Sequence, residues 1–149
     1  MQQHLSVATI GFTRTSAESF FERLRGADVK RVLDVRLHNT SQLAGFAKAD
    51  NLAWFLRVIA GIDYRHEPLL APTDEMLRAY KTEKGKWEDY APRFLALMAR
   101  RRIEEKLPRA LFDGACLLCS EHLPHHCHRK LVCDYLNEKW DGALAVTHL

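Results

Sequence analysis

Residues 116–130 read CLLCSEHLPHHCHRK and hold three cysteines, four histidines, one glutamate and one arginine. Three kinds of chemistry are open to such a set. Soft ligands at this density could hold zinc through Cys119, Cys127 and a neighbouring histidine such as His128. A cysteine thiol beside cations or at a helix start loses its proton more readily. Cys119 or Cys127 could then act as a nucleophile, with Glu121 or His128 moving protons. A helix starting here would also turn free N–H groups toward an anion, with Arg129 adding a planar fork. A plainer reading stands beside these. Cys127 lies one turn before Leu131 and could simply pack, as Cys116 and Cys133 could. His122, His125 and His126 could be solvated loop residues, and Arg129 and Lys130 ordinary surface charges.

Strand geometry narrows the choice. Successive side chains point to opposite faces, so Leu117, Cys119 and Glu121 share one side while Cys116 and Leu118 take the other. Cys116 and Cys119 therefore do not chelate together if one strand runs through both. The helix start offers His125, His126, Cys127, His128, Arg129 and Lys130 where Asp or Glu is normally favoured. A bound anion would offset that electrostatic cost. A second polar pair, Asp34 and Arg36, sits at the end of a strand whose interior should be apolar. Either Asp34 caps loop N–H groups and Arg36 pairs with an acid, or the two contact a ligand.

The surrounding pattern alternates strand and helix. Strands are expected at 7–12, 31–37, 62–70 (broken at Pro68), 115–120 and 143–149. Helices are expected after the capping box Thr15-Ser16-Ala17-Glu18, over 51–60 up to Gly61, over 73–81 behind Thr73, over 92–106 and over 125–140. This predicts one α/β domain over 1–149, a mainly parallel sheet of four to five strands with helices on both faces. Ligands of such sheets gather at the strand carboxyl ends. The candidates there are Thr13-Arg14, Asp34-Val35-Arg36, Tyr64-Arg65-His66 and the loop after Leu118.

Composition sets outer limits. The chain of 149 residues is 47% hydrophobic and 28% charged, with a net charge of +3. That is ordinary for a globular domain and too mild to imply nucleic-acid binding by itself. No apolar run approaches the roughly 18 residues of a membrane span, and no secretory signal is read at the start. The four cysteines fall between positions 116 and 133. This clustering predicts reduced thiols and a cytoplasmic setting. No glycine-rich phosphate loop is present, and Gly11-Phe12-Thr13-Arg14 lacks the dinucleotide spacing. The sequence requires no cofactor and leaves a metal open.

The segments TIGFTRTSAESFFERL, RVLDVR, GIDYRHEPLL and ACLLCSEHLPHHCHRKLVCDYL together resemble the family catalogued as domain of unknown function 488. The most specific part is Leu118-Cys119-Ser120-Glu121 followed by Cys127-His128-Arg129. The resemblance implies an α/β fold and a cytoplasmic prokaryotic protein, and it implies no reaction. Relatives often carry a proline and basic residues soon after the Asp-x-Arg strand. Here that stretch is Leu37 to Phe46, LHNTSQLAGF. Asp34-Val35-Arg36 is also similar, over a short span, to the strand ending of rhodanese-type sulfurtransferases. The cysteine-phosphatase signature is absent: six residues after Cys119 stands His125, and six after Cys127 stands Cys133.

The leading expectation is an enzyme, or an enzyme-derived binding domain, for a small anionic or nucleotide-like ligand. Arg14, Arg36 and Arg129 would hold its charge beside Asp34, and Cys119, Glu121, Cys127 and His128 would carry the chemistry. One alternative is a nucleic-acid-binding accessory protein with a basic strip of Arg100, Arg101, Arg102 and Lys106, although Glu104 and Glu105 interrupt it. The other is a metal-binding protein using Cys119, Cys127 and His128.

Overall fold

The alternation of apolar strand-length runs with amphipathic stretches folds into a five-stranded sheet. The computed structural model of the chain describes residues 4–39, 45–120 and 126–149. The strands are β1 (Leu5–Gly11), β2 (Arg31–Asp34), β3 (Asp63–His66), β4 (Ala115–Cys119) and β5 (Leu144–His148). All neighbours pair in parallel, in the order β3-β2-β4-β1-β5. The helices are α1 (Ala17–Gly26), α2 (Ala49–Phe55), α3 (Asp74–Leu77), α4 (Trp87–Arg101), α5 (Ile103–Lys106), α6 (Arg109–Phe112) and α7 (His128–Lys139). The α/β architecture with helices on both faces is as the sequence predicts. No helix among the described residues is long and apolar enough to cross a membrane.

Side-chain alternation divides the core in two. Val32, Cys116 and Leu118 pack with Phe20, Phe21 and Leu24 of α1 and with Leu52 of α2. Leu33, Leu117 and Cys119 pack on the other face with Phe94, Leu97 and Met98 of α4 and with Leu131, Val132 and Leu136 of α7. Each fully buried Leu, Phe or Met contributes roughly 1.5–3 kcal/mol of transfer free energy. The chain leaves β2 toward α2 on one face and β4 toward α7 on the other. The carboxyl ends of these adjacent strands therefore flank an opening, where ligands of such sheets bind.

Several boundaries differ from the sequence reading, each for a local reason. The cap of α1 is Ser16, whose hydroxyl accepts the Ser19 N–H at 3.1 Å. Thr15 is instead held by Arg23 Nη2 at 3.1 Å, so the expected Thr15–Glu18 box does not form. Beyond α2 the helix continues as a π-helical turn, Leu56–Ala60, and stops at Gly61 with φ 64°. Strand β2 ends at Asp34 rather than Leu37, because the Asp34 side chain folds forward onto the Arg36 N–H at 3.1 Å. Strand β3 stops at His66, and Pro68–Leu70 forms a 3-10 turn. Helix α4 starts five residues before Pro92, at Trp87, and places that proline inside the helix. It breaks at Arg102, where φ is 52°, before α5 resumes. Helix α7 begins at His128, so only His128, Arg129 and Lys130 of the expected cations lie in its first turn. The short α6, anchored by buried Phe112, has no counterpart in the sequence reading.

Candidate functional site

A cleft of about 390 Å³ opens at the carboxyl ends of β2 and β4. Arg36 and Leu37 follow β2 into its wall, and Cys119 and Ser120 close β4. The start of α7 supplies His126, Cys127 and His128. The far side comes from α3, its π-helical continuation (Arg78–Thr82) and the start of α4, through Asp74, Arg78, Tyr80, Lys81, Trp87 and Tyr90.

Arg36 is built into this wall by a buried carboxylate. Its Nε and Nη2 donate to Asp34 Oδ1 and Oδ2, both at 2.8 Å. Asp34 is 0% exposed and Arg36 3%. A buried carboxylate needs several donors. Tyr64 donates its hydroxyl to Oδ2 at 2.5 Å, and Asn39 Nδ2 adds a longer contact of 3.4 Å. Burial raises the Tyr64 phenol well above its ordinary range, and the bond to Asp34 and its charge raise it further. The guanidinium lies over the Phe12 ring at 5.3 Å. With Nε and Nη2 committed, Nη1 is buried and has no hydrogen-bond partner among the described residues. Arg36 thus pairs with an acid, and that acid is Asp34 itself.

The cysteine motif forms the opposite corner. Cys119 ends β4 and Cys127 is the N-cap of α7, and the two sulfurs meet there. They are joined as a disulfide with Cα atoms 7.6 Å apart. This differs from the expectation of four reduced thiols. The cause is the closeness of the end of β4 to the start of α7, which spacing alone does not show. His128 Nε2 faces the Val35 carbonyl at 2.7 Å and must donate to it, which leaves Nδ1 as the acceptor of the neutral ring. Burial of that ring lowers its pKa to about 4 against the raising effect of Val35, and the nearby Arg129 charge also lowers it. Phe94 packs against the ring at 5.4 Å. Arg129 is 0% exposed, and its Nη1 donates to Cys119 Sγ at 3.2 Å. The ligand atoms of Cys119, Cys127 and His128 all lie within 4.8 Å of one another.

The other two cysteines are packing residues. Cys116 belongs to the opposite core, and burial drives its thiol pKa up strongly. Cys133 faces the Cys119 side, and burial pushes its thiol up to about 12.

The remaining candidates are placed less centrally. Asp34 and Arg129 stand behind the wall, each touching a wall residue. Arg14 is exposed in the turn after β1, with φ 59°, and does not line the cleft. Glu121, His122 and His125 lie outside the described residues. The basic strip is not one helical face: Arg101 Nη1 donates to the carbonyls of Leu69 and Ala71 at 2.8 and 2.7 Å. Arg102 sits at the break after α4.

The aromatic wall is what the sequence reading misses. Trp87 stacks on Tyr90 at 5.4 Å and on His126 at 5.2 Å, and Tyr80 meets Tyr90 at 4.9 Å. The signal was present: Trp87, Tyr90 and Phe94 follow helical spacing and would have carried the expected helix back from Pro92 to Trp87.

The curated proteins and the solved structures contain no match to the chain. Residues 16–136 match the family described as "Domain of unknown function DUF488", and the chain belongs to that family.

Proposed function

We propose that the cleft binds a small ligand combining an anionic group with a planar ring, as a nucleotide-like molecule does. The observation that carries this reading is Arg36. Its charge is fixed in place by Asp34, it lines the cleft, and one buried Nη1 has no partner among the described residues. A charge-assisted hydrogen bond from that nitrogen to a ligand oxygen would satisfy it. The aromatic group Tyr80, Trp87 and Tyr90 gives a planar ring a surface to rest on. Reduced Cys119 would be the reactive group. Arg129 at 3.2 Å favours its thiolate, and neutral His128 beside it keeps Nδ1 as a hydrogen-bond acceptor. Glu121, which lies outside the described residues, is the second proton carrier of this reading.

The test is calorimetric titration of untagged protein with nucleoside monophosphates and with inorganic phosphate. Nucleoside monophosphates should bind more tightly than phosphate alone. Arg36→Lys, which keeps a charge for Asp34, should weaken both by roughly tenfold or more. Trp87→Ala should weaken the nucleotides selectively. Circular dichroism checks that each variant is folded. Failure of the wild-type protein to bind any of these, or equal binding by both folded variants, would overturn the reading.

A further inference from the structure

We infer that, once reduced, Cys119, Cys127 and His128 form a three-ligand site for a thiophilic divalent ion of the zinc type. The fourth position of that site would be open to the cleft. The inference shares Cys119 and His128 with the reading above but does not depend on which ligand the Arg36 side of the cleft holds, and metal binding is measured apart from nucleotide binding.

Four observations point the same way. The three ligand atoms converge within 4.8 Å, and all three residues line the cleft. Two thiolates and one imidazole are the donor set that selects zinc over calcium or magnesium. Next, the Cα atoms of Cys119 and Cys127 are 7.6 Å apart, beyond the roughly 4.4–6.8 Å usual for cysteines joined directly. An ion placed between the two sulfurs spans that separation more easily, at about 2.3 Å from each. His128, third, has its Nε2–H fixed on the Val35 carbonyl at 2.7 Å, which sets the tautomer and ring orientation. Ligating histidines are held through the second nitrogen in this way. Lastly, Arg129 is fully buried with Nη1 at 3.2 Å from Cys119 Sγ. A donor there would hydrogen-bond to the sulfur of a bound ion's ligand.

The chemistry balances in two steps. A phosphine or thiol reductant delivers two electrons to the disulfide, which takes up two protons and becomes two thiols. The ion then displaces the thiol protons and binds both sulfurs. Disulfide and metal are therefore mutually exclusive states of one pair.

The experiment is titration of reduced, untagged, metal-free protein with cobalt(II) under anaerobic conditions, followed by competition with zinc. One ion per chain is expected, with the sulfur-to-cobalt charge-transfer absorption that thiolate ligation produces. Cys119→Ser and Cys127→Ser should each weaken binding at least tenfold and reduce that absorption. His128→Asn should weaken binding while the absorption persists. Cys116→Ser should change neither. A readout on the unaltered chain covers variants that fail to fold: one equivalent of zinc should slow alkylation of Cys119 and Cys127 at least tenfold. Oxidised protein should bind no ion at this site. Binding without the charge-transfer absorption, binding unchanged in the double cysteine variant, or equal binding by oxidised protein would each overturn the inference. The first two of these would assign the ion to the chain's other histidines.

Discussion

A buried arginine is tolerable only when its charge is answered, and Asp34 answers Arg36 with two bonds of 2.8 Å. Removing one member leaves the other charged in a low-dielectric setting. Asp34→Asn should therefore lower the unfolding free energy on the order of 3 kcal/mol in urea titrations. Tyr64→Phe, which removes one donor to the same carboxylate, should cost about 1 kcal/mol. Tyr64 also gives a pH signature. Its phenol is harder to ionise in the folded chain than in the unfolded one, mainly through burial and then through Asp34. That stabilisation is fully present below the ordinary phenol value of about 10 and is lost as pH rises above it. Stability curves between pH 9 and 11 should fall for the wild-type chain and fall less for Tyr64→Phe. The sequence made Asp34 and Arg36 visible as polar residues where a parallel strand should be apolar. It left open which acid meets Arg36, because that pairing depends on the chain turning immediately after Asp34. Arg14 shows the reverse: it stands at a strand end as expected, yet its exposed turn keeps it off the cleft wall.

At the scale of elements, the positions with positive φ are the most readily tested. Arg102 closes α4 with φ 52°, a conformation that costs an L-residue roughly 1 kcal/mol relative to glycine. Arg102→Gly should raise stability by about 0.5–1 kcal/mol, measured as a higher denaturation midpoint with unchanged slope. Among the described residues the Arg102 side chain has a distant ion pair with Glu105, at 3.9 Å and exposed, so little opposes the gain. The helix boundaries that were legible carry explicit end signals: Thr73 accepts the Met76 N–H at 3.2 Å, and Gly61 adopts φ 64°. The start of α4 carries no side-chain cap at Lys86, so Pro92 is the first start signal the sequence offers. Just before it, Gly85 makes a close approach: its N–H donates to the Ala79 carbonyl at 3.0 Å and a Cβ there would lie 2.7 Å from that oxygen. This tight turn brings Trp87 back against Tyr80, which no periodicity count could show.

For the whole molecule, the alternation of strands and helices was enough to predict the layered architecture, because each buried strand reads as an apolar run. Strand order was not legible, since parallel strands of similar composition carry no label for their neighbours. The observed order places β4 in the middle, between β2 and β1. Its register joins Val7 to Ala115 on one side and Arg31 to Ala115 on the other. Among the five strands, β1 pairs only with β4 and β5, both from the last third of the chain. Polypeptides are made from the amino end, so during synthesis β1 waits for partners more than a hundred positions downstream. A chain stopped before Ala115 keeps β1, β2 and β3 but lacks the strand that links the first to the other two. Such a fragment should show no cooperative melting and little protection of β1 amides from hydrogen exchange. The newborn protein thus acquires its sheet late and nearly all at once, and its first hundred residues are the stretch a chaperone would have to guard.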